Sequence, residues 1–162
     1  HLAFMLNEKT GRADMYLNHE NVEEEIRGLE VSNQVSQVAA LEPVRIFSVA
    51  QQQLMGGQKG IVMDGRDIGT AVFPEAELKI FVTASPEVRL ERRYQELVAI
   101  DPAITKAEIK ANLEMRDHID STREFSPLKQ ADDALVLDNS SLTRDEQLEL
   151  ALSWAKERIE RA

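Results

Sequence analysis

The chain holds 162 residues, enough for one ordinary domain with a small appendage and long enough to bury a core. Asp and Glu number 29 against 19 Lys and Arg, a formal net charge of −10, which excludes a general binder of nucleic acid or anionic membrane because no average field would hold a polyanion. Cysteine is absent, which excludes disulfide frameworks and thiolate metal sites, and no apolar run approaches the roughly 18 residues a membrane span needs.

The chain opens as a β-hairpin by pattern: residues 2–6 are apolar, 7–11 form a turn cluster ending in Gly11, and 13–18 alternate around Met15 and Leu17. Asn21, with Glu24 three positions on, can cap a short helical turn that Gly28 ends. Residues 31–53 carry Val31, Val35, Val38, Leu41, Val44 and Phe47 at three- and four-residue spacing. Pro43 inside that run predicts two helices meeting near 41–43. After Gly56 and Gly57, residues 61–63 form a continuous apolar run ending in Asp64, the pattern of a strand buried on both faces. Residues 78–83 predict a second such strand.

Ser85 followed by Pro86 opens a helix over 86–100. Thr105 with Glu108 is a capping-box signature for the next helix, which ends within 118–121. Residues 134–137 predict a third strand. Thr143 with Glu146 then caps a last helix whose Leu148, Ala151, Leu152, Ala155 and Ile159 make one apolar stripe, while Trp154 reads as core or core edge. Strands alternating with helices across short loops predict an α/β fold with a parallel sheet, the hairpin lying outside it.

Arg outnumbers Lys 12 to 7, so an anion would be held by locally placed guanidinium forks rather than by bulk charge. The run from Gly60 to Thr70 places Asp64 at the carboxyl end of a predicted strand, where open α/β sheets bind ligands. In P-loop phosphotransferases a carboxylate there lies near Mg²⁺ and the phosphates. The competing reading is that Asp64 and Asp67 brace an ordinary strand-to-helix turn. A phosphatase D-x-D-x-T loop is refused by spacing, since position 66 is Arg and Thr70 lies too far on. Arg116, Asp120 and Arg123 share one helix face, so two guanidiniums flank one carboxylate. Such a set can grip a phosphate while the carboxylate accepts from a sugar hydroxyl or base amino group. It can equally be a solvated face of ion pairs. Ser36 and Arg45 straddle the helix junction, and Arg92 and Arg93 follow the strand at 78–83. Each alone is compatible with plain helix surface, and His118 receives no role.

Together these pieces resemble one family. The order Ser36-Gln-Val-Ala-Ala, Arg45, Asp64-Gly-Arg-Asp-Ile-Gly-Thr with Val72-Phe-Pro, Lys79-Ile-Phe-Val, Glu91-Arg-Arg, Arg116-Asp, Asp120-Ser-Thr-Arg, Ser126-Pro-Leu and Ala134-Leu-Val-Leu-Asp resembles bacterial cytidylate kinase over essentially the whole chain. The resemblance implies a P-loop kinase-type parallel sheet flanked by helices, with a small hairpin-containing insert. Residues 1–55 become the CMP-binding region, and 56–162 the rest of the kinase core with a short lid around 92–116. The implied reaction moves the γ-phosphoryl of ATP to CMP or dCMP, giving CDP or dCDP and ADP, by direct in-line transfer with Mg²⁺.

Position by position, Ser36, Arg45 and Asp120 match residues that recognise cytosine. Arg66, Arg116 and Arg123 match the clamp on the CMP phosphate, and Asp67 and Asp120 help fix the ribose and the arginines. Arg66, Arg92, Arg116 and Arg123 form the implied catalytic set, Arg92 and Arg93 facing the ATP phosphates from the lid. Asp64 falls near Mg²⁺, directly or indirectly. The implied partners are CMP, dCMP and ATP, with no nucleic acid or membrane, in a cytoplasmic monomer.

One departure stands out: the phosphate-binding loop G-x-x-x-x-G-K-[ST] occurs nowhere in these 162 residues, and the chain starts at His1 rather than Met. The expectation is a C-terminal part of such a kinase, lacking the first sheet strand, exposing apolar surface and inactive by itself. Two alternatives stay open: a P-loop kinase for another small substrate, or a non-catalytic nucleotide-binding fragment if the chain truly begins at His1.

Overall fold

The computed structural model describes residues 1–57 and 59–161. The chain opens with an antiparallel sheet in the order β1 (Leu2–Asn7), β2 (Arg12–Leu17), β3 (Glu20–Asn21). The predicted hairpin forms because its turn is chemically specified. Asn7 Oδ1 accepts from the Lys9 N–H at 3.0 Å, and Gly11, at a φ of 67°, returns its N–H to the Asn7 carbonyl at 2.8 Å. The third strand was not expected. Asn18 and His19 both take positive φ, 49° and 75°, in a two-residue turn of the hand that matches strand twist, and this pairs Leu17 with Glu20.

A short 3₁₀ turn, Glu25–Arg27, follows. Its expected Asn21 cap does not form, because Asn21 Oδ1 accepts instead from the Glu23 N–H at 2.9 Å, and Gly28 ends the turn as predicted. The predicted helix pair is present as α1 (Leu29–Ala39) and α2 (Glu42–Met55). Pro43 lies in the first turn of α2, where its missing N–H leaves no bond unmade. In α1 the buried residues are Ser32 and Ser36, whereas Val31, Val35 and Val38 are exposed. The apolar spacing that predicts the helix therefore does not mark its buried side.

The strand expected at 61–63 does not form. Those residues are irregular, with Ile61 and Val62 exposed, because a strand exists through its neighbour's ladder and no described strand pairs with this one. A single π-helical turn, Ile68–Val72, follows, wrapping the Phe73 N–H back onto the Ile68 carbonyl five residues earlier at 2.7 Å. Gly56, at the end of α2, permits close approach of the Phe73 ring, with which a Cβ there would collide.

The other two predicted strands are β4 (Ile80–Thr83) and β5 (Leu135–Asp138), paired in parallel with Ile80 opposite Leu135 and Thr83 opposite Asp138. A parallel pair requires a long crossover, and α3 (Pro86–Val98) and α4 (Lys106–Thr122) supply it. The α/β class with a parallel sheet flanked by helices is thus observed. Ser85 caps α3, and complete capping boxes start α4 at Thr105 and Glu108 and α5 (Arg144–Glu160) at Thr143 and Glu146, as predicted.

The main apolar cluster is Leu97, Ile104 and Ile109, with Leu29, Leu90, Tyr94 and Leu113 packed against it. It lies within and around the 92–116 segment, anchoring α3 to α4. Elsewhere large apolar side chains stand exposed, among them Val82 and Val136 on the parallel pair and Leu148, Leu152 and Ile159 on the α5 stripe. Trp154 is half-buried. Among the described residues no helix is long and apolar enough to cross a membrane.

Candidate functional site

Ser36 on α1, Arg45 on α2, Arg66 and Asp67 before the π-helical turn, and Arg116, Asp120 and Arg123 at the end of α4 line one cleft of about 170 Å³. Seven candidates scattered over almost ninety positions of sequence therefore meet in space. Arg92 and Asp64 do not line it. The Arg92 guanidinium is exposed and donates to both Oδ1 and the carbonyl of Asn139, each at 2.7 Å, tying α3 to the end of β5. Asp64 is exposed beside the cleft residue Gly65. Arg93 pairs with Glu96 at 3.1 Å, and His118 is exposed.

Two buried carboxylates organise the arginines. Asp67, 4% exposed, accepts from Arg45 Nη2 at 2.6 Å and lies 3.8 Å from Arg123 Nη2. Asp120, 2% exposed, accepts from Ser36 Oγ at 3.3 Å, and lies 3.1 Å from Arg66 Nε and 3.4 Å from Arg123 Nη1. Arg123 Nε also donates to the Ser126 carbonyl at 2.8 Å, at the bend where α4 has ended. These charge-assisted bonds hold the forks in fixed directions.

The pairing is incomplete in an informative way. Four guanidiniums and two carboxylates line the cleft, a surplus of two positive charges. Burial, then the neighbouring Arg66, lowers the Arg116 pKa, and burial, then Arg45, lowers that of Arg123. Guanidiniums stay charged regardless, so the shifts record positive charge held at a cost among its own kind. Among the described residues the buried side-chain polar atoms without a hydrogen-bond partner are Arg45 Nε, Gln52 Oε1, Arg116 Nε and Arg123 Nη2, and all four belong to cleft residues. Buried donors are ordinarily satisfied. The three guanidinium nitrogens are donors free to meet acceptor oxygens, and Gln52 Oε1 is an acceptor free to meet a hydroxyl or amino group.

Several residues here escaped the sequence reading. Gln52 lines the cleft and holds the unpaired acceptor. Asp117 receives Arg89 from α3 through two bonds of 2.6 and 2.9 Å, which raises the Arg89 pKa, and it lies 3.9 Å from Arg66. Ser32 accepts from Arg116 Nη1 at 2.9 Å. A signal for part of this existed: Ser32 and Ser36 on one helix, and Asn112, Arg116 and Asp120 on another, repeat at four-residue spacing, giving two polar stripes that face each other.

For a metal ion, the donor set permits one arrangement. Among the described residues no three His, Asp or Glu side chains gather into a metal-binding group, so a protein cage for Mg²⁺ is not on offer. Asp64, a lone exposed carboxylate, fits the mode in which Mg²⁺ keeps its waters and is held mainly by nucleotide phosphates.

The family model described as cytidylate kinase matches residues 1–157. A cytidylate kinase of Parabacteroides distasonis is 59% identical over 99% of this chain and 69% of its own length. One of Bacteroides fragilis is 61% identical over 92% of this chain and 65% of its own length, and one of Porphyromonas gingivalis is 56% identical over 98% and 68%. The chain thus spans about two thirds of the length of these relatives.

Proposed function

The chain belongs to the cytidylate kinase family, nucleoside-monophosphate kinases that are phosphotransferases, and from that premise we propose that its cleft binds CMP or dCMP as acceptor of the γ-phosphoryl of ATP. The observation that carries this reading is the surplus of two positive charges beside unpaired, buried guanidinium nitrogens. A phosphate monoester brings about −1.5 to −2 charge and three acceptor oxygens, which matches that surplus. Arg66, Arg116 and Arg123 hold the phosphate. Ser36, Arg45 and Asp120 read the base: Asp120 accepts from the cytosine amino group, and a hydroxyl or guanidinium donates to the ring acceptors. Asp67 fixes Arg45 and Arg123 and receives the ribose hydroxyls.

In the transfer, a phosphate oxygen of CMP attacks the γ-phosphorus in line as the bond to the ADP oxygen breaks, with no covalent enzyme intermediate. The arginines neutralise charge spreading over the transferred group and keep attacker and phosphorus aligned. Asp64 is the carboxylate that would help hold Mg²⁺ bound with ATP, and the ion would supply further charge neutralisation at the phosphates. Arg92 and Arg93 are assigned to the ATP phosphates, and the 92–116 segment to closing over them. Residues 1–55 are assigned to the CMP-binding region and 56–162 to the remainder of the core, which also lends Arg66, Asp67, Arg116, Asp120 and Arg123 to the cleft.

These residues supply the CMP side of such a reaction, so binding is the direct test. Calorimetry on the chain should give CMP and dCMP clear preference over UMP, and CMP preference over cytidine. Equal binding of CMP and UMP would remove the base-reading assignment. In the gene product that carries these residues, ATP and Mg²⁺ should convert CMP and dCMP to their diphosphates. Turnover of neither would overturn the kinase reading.

A further inference from the structure

A set of residues behind the cleft bears on how the phosphate is gripped, given the reading above. Arg116 lines the cleft, and its Nη1 donates to Ser32 Oγ at 2.9 Å. A serine hydroxyl has one proton, and Ser32 donates it to Asn112 Oδ1 at 3.1 Å, so a lone pair of Oγ faces the guanidinium. Asn112 is in turn fixed in orientation, because its Nδ2 donates to Asn33 Oδ1 at 2.6 Å. The relay therefore runs one way, from Arg116 through Ser32 and Asn112 to Asn33, and each donor in it meets an acceptor. Ser32 and Asn112 are each 5% exposed, and neither lines the cleft.

We propose that Ser32 and Asn112 are positioning residues that hold the Arg116 fork by its Nη1, leaving the edge that carries Nε for the phosphate of the bound nucleoside monophosphate. That Nε is buried and has no partner in the protein. The tether matters because Arg116 sits among like charges: Arg66 and Arg93 repel it, while Asp117 and Asp120 attract it. An untethered guanidinium would swing toward the carboxylates and away from Arg66, and the two-point contact with a phosphate depends on direction. The relay also couples α1 to α4 across eighty positions of sequence, so the grip on the phosphate depends on these two helices staying in register.

The test separates phosphate grip from general stability by comparing CMP with cytidine, which has the same base and sugar and no phosphate. Both affinities are measured by calorimetry on the wild-type chain and on Ser32→Ala, Ser32→Cys and Asn112→Ala. Ser32→Cys keeps nearly the same volume while replacing the oxygen with a weak sulfur acceptor, so it reports even if the alanine variant fails to fold. Each variant should bind CMP about tenfold more weakly, the effect of one charge-assisted hydrogen bond, with cytidine affinity unchanged. Ser32→Thr, which restores the hydroxyl, should recover CMP affinity. A merely structural role would move both ligands together. A wild-type preference for CMP over cytidine that survives in Ser32→Ala and Ser32→Cys overturns the proposal alone. A wild-type chain that binds CMP no tighter than cytidine overturns the cleft reading, and the proposal with it.

Discussion

Arg123 is the most heavily committed guanidinium of the cleft. It is 8% exposed, lies 3.4 Å from Asp120 and 3.8 Å from Asp67, donates to the Ser126 carbonyl, and still keeps Nη2 without a hydrogen bond. Arg123→Ala should therefore have two separable effects. Chemical denaturation should register a loss of about 1–3 kcal/mol, because the bond to the Ser126 carbonyl is lost while Asp67 keeps Arg45 and Asp120 keeps Arg66 as counter-charges. Calorimetry should register CMP weakened by at least about tenfold while cytidine is little changed. Equal losses for both ligands would mean that the residue shapes the cleft without touching the phosphate. At this scale the sequence was legible where spacing along one helix carried the message, as it did for Arg116 and Asp120, whereas Arg123 reaches the cleft from just past the end of α4, not from the shared helix face that spacing predicts. Gln52 was not legible, and Ser32 and Asn112 were marked only by their four-residue spacing to Ser36 and Arg116, because a serine or an amide on a helix has no chemical signature of its own. Its meaning lies in the facing helix, and only the fold reveals which helix that is.

Elements whose signals are local formed as expected: the Asn7 to Gly11 turn, Pro43 in the first turn of α2, Ser85 ahead of α3, and the two capping boxes. The apolar run at 61–63 did not become a strand, since its bonds must come from a neighbour. The capping boxes make a pH prediction. The Thr105 hydroxyl and backbone hold Glu108 below its ordinary value of 4.5, and the Thr143 backbone and hydroxyl do the same for Glu146. A carboxylate whose pKa is depressed by folding stabilises the fold above its unfolded pKa and stops doing so as pH falls through the folded value. The contribution is thus complete above about pH 4.5 and fades below it. Glu108→Gln with Glu146→Gln keeps an acceptor in each box but removes the titration. Melting curves followed by circular dichroism between about pH 6 and 3 should converge for variant and wild type as acid is added. A stability gap that stays constant across that range would show that the carboxylate charge contributes nothing to either cap.

For the whole molecule, the order of strands and helices was enough to read an α/β fold with a parallel pair, because a crossover of two helices leaves little else for those strands to do. Less legible was where the core lies. Apolar spacing marks α1 and α5 as amphipathic, yet α1 buries serines and the α5 stripe is exposed, since burial depends on what each face meets. Charge shows the same contrast between average and place. The net charge is −10, while the cleft carries two positive charges in excess, so the molecule should repel polyanions at long range and bind one phosphate at short range. A polynucleotide needs many phosphate contacts along a surface, and its affinity comes from neutralising them together. A mononucleotide needs only the cleft. Fluorescence anisotropy with a labelled oligocytidylate should accordingly detect no binding even at low salt, where electrostatic attraction is least screened, under conditions in which CMP binds measurably. Added salt should leave CMP affinity nearly unchanged, because the arginines proposed to hold it are partly buried and the long-range repulsion is screened at the same time. Oligocytidylate binding that weakens steeply with salt would mean that a basic surface acts outside the cleft, and the assignment of anion binding to these few arginines would fail.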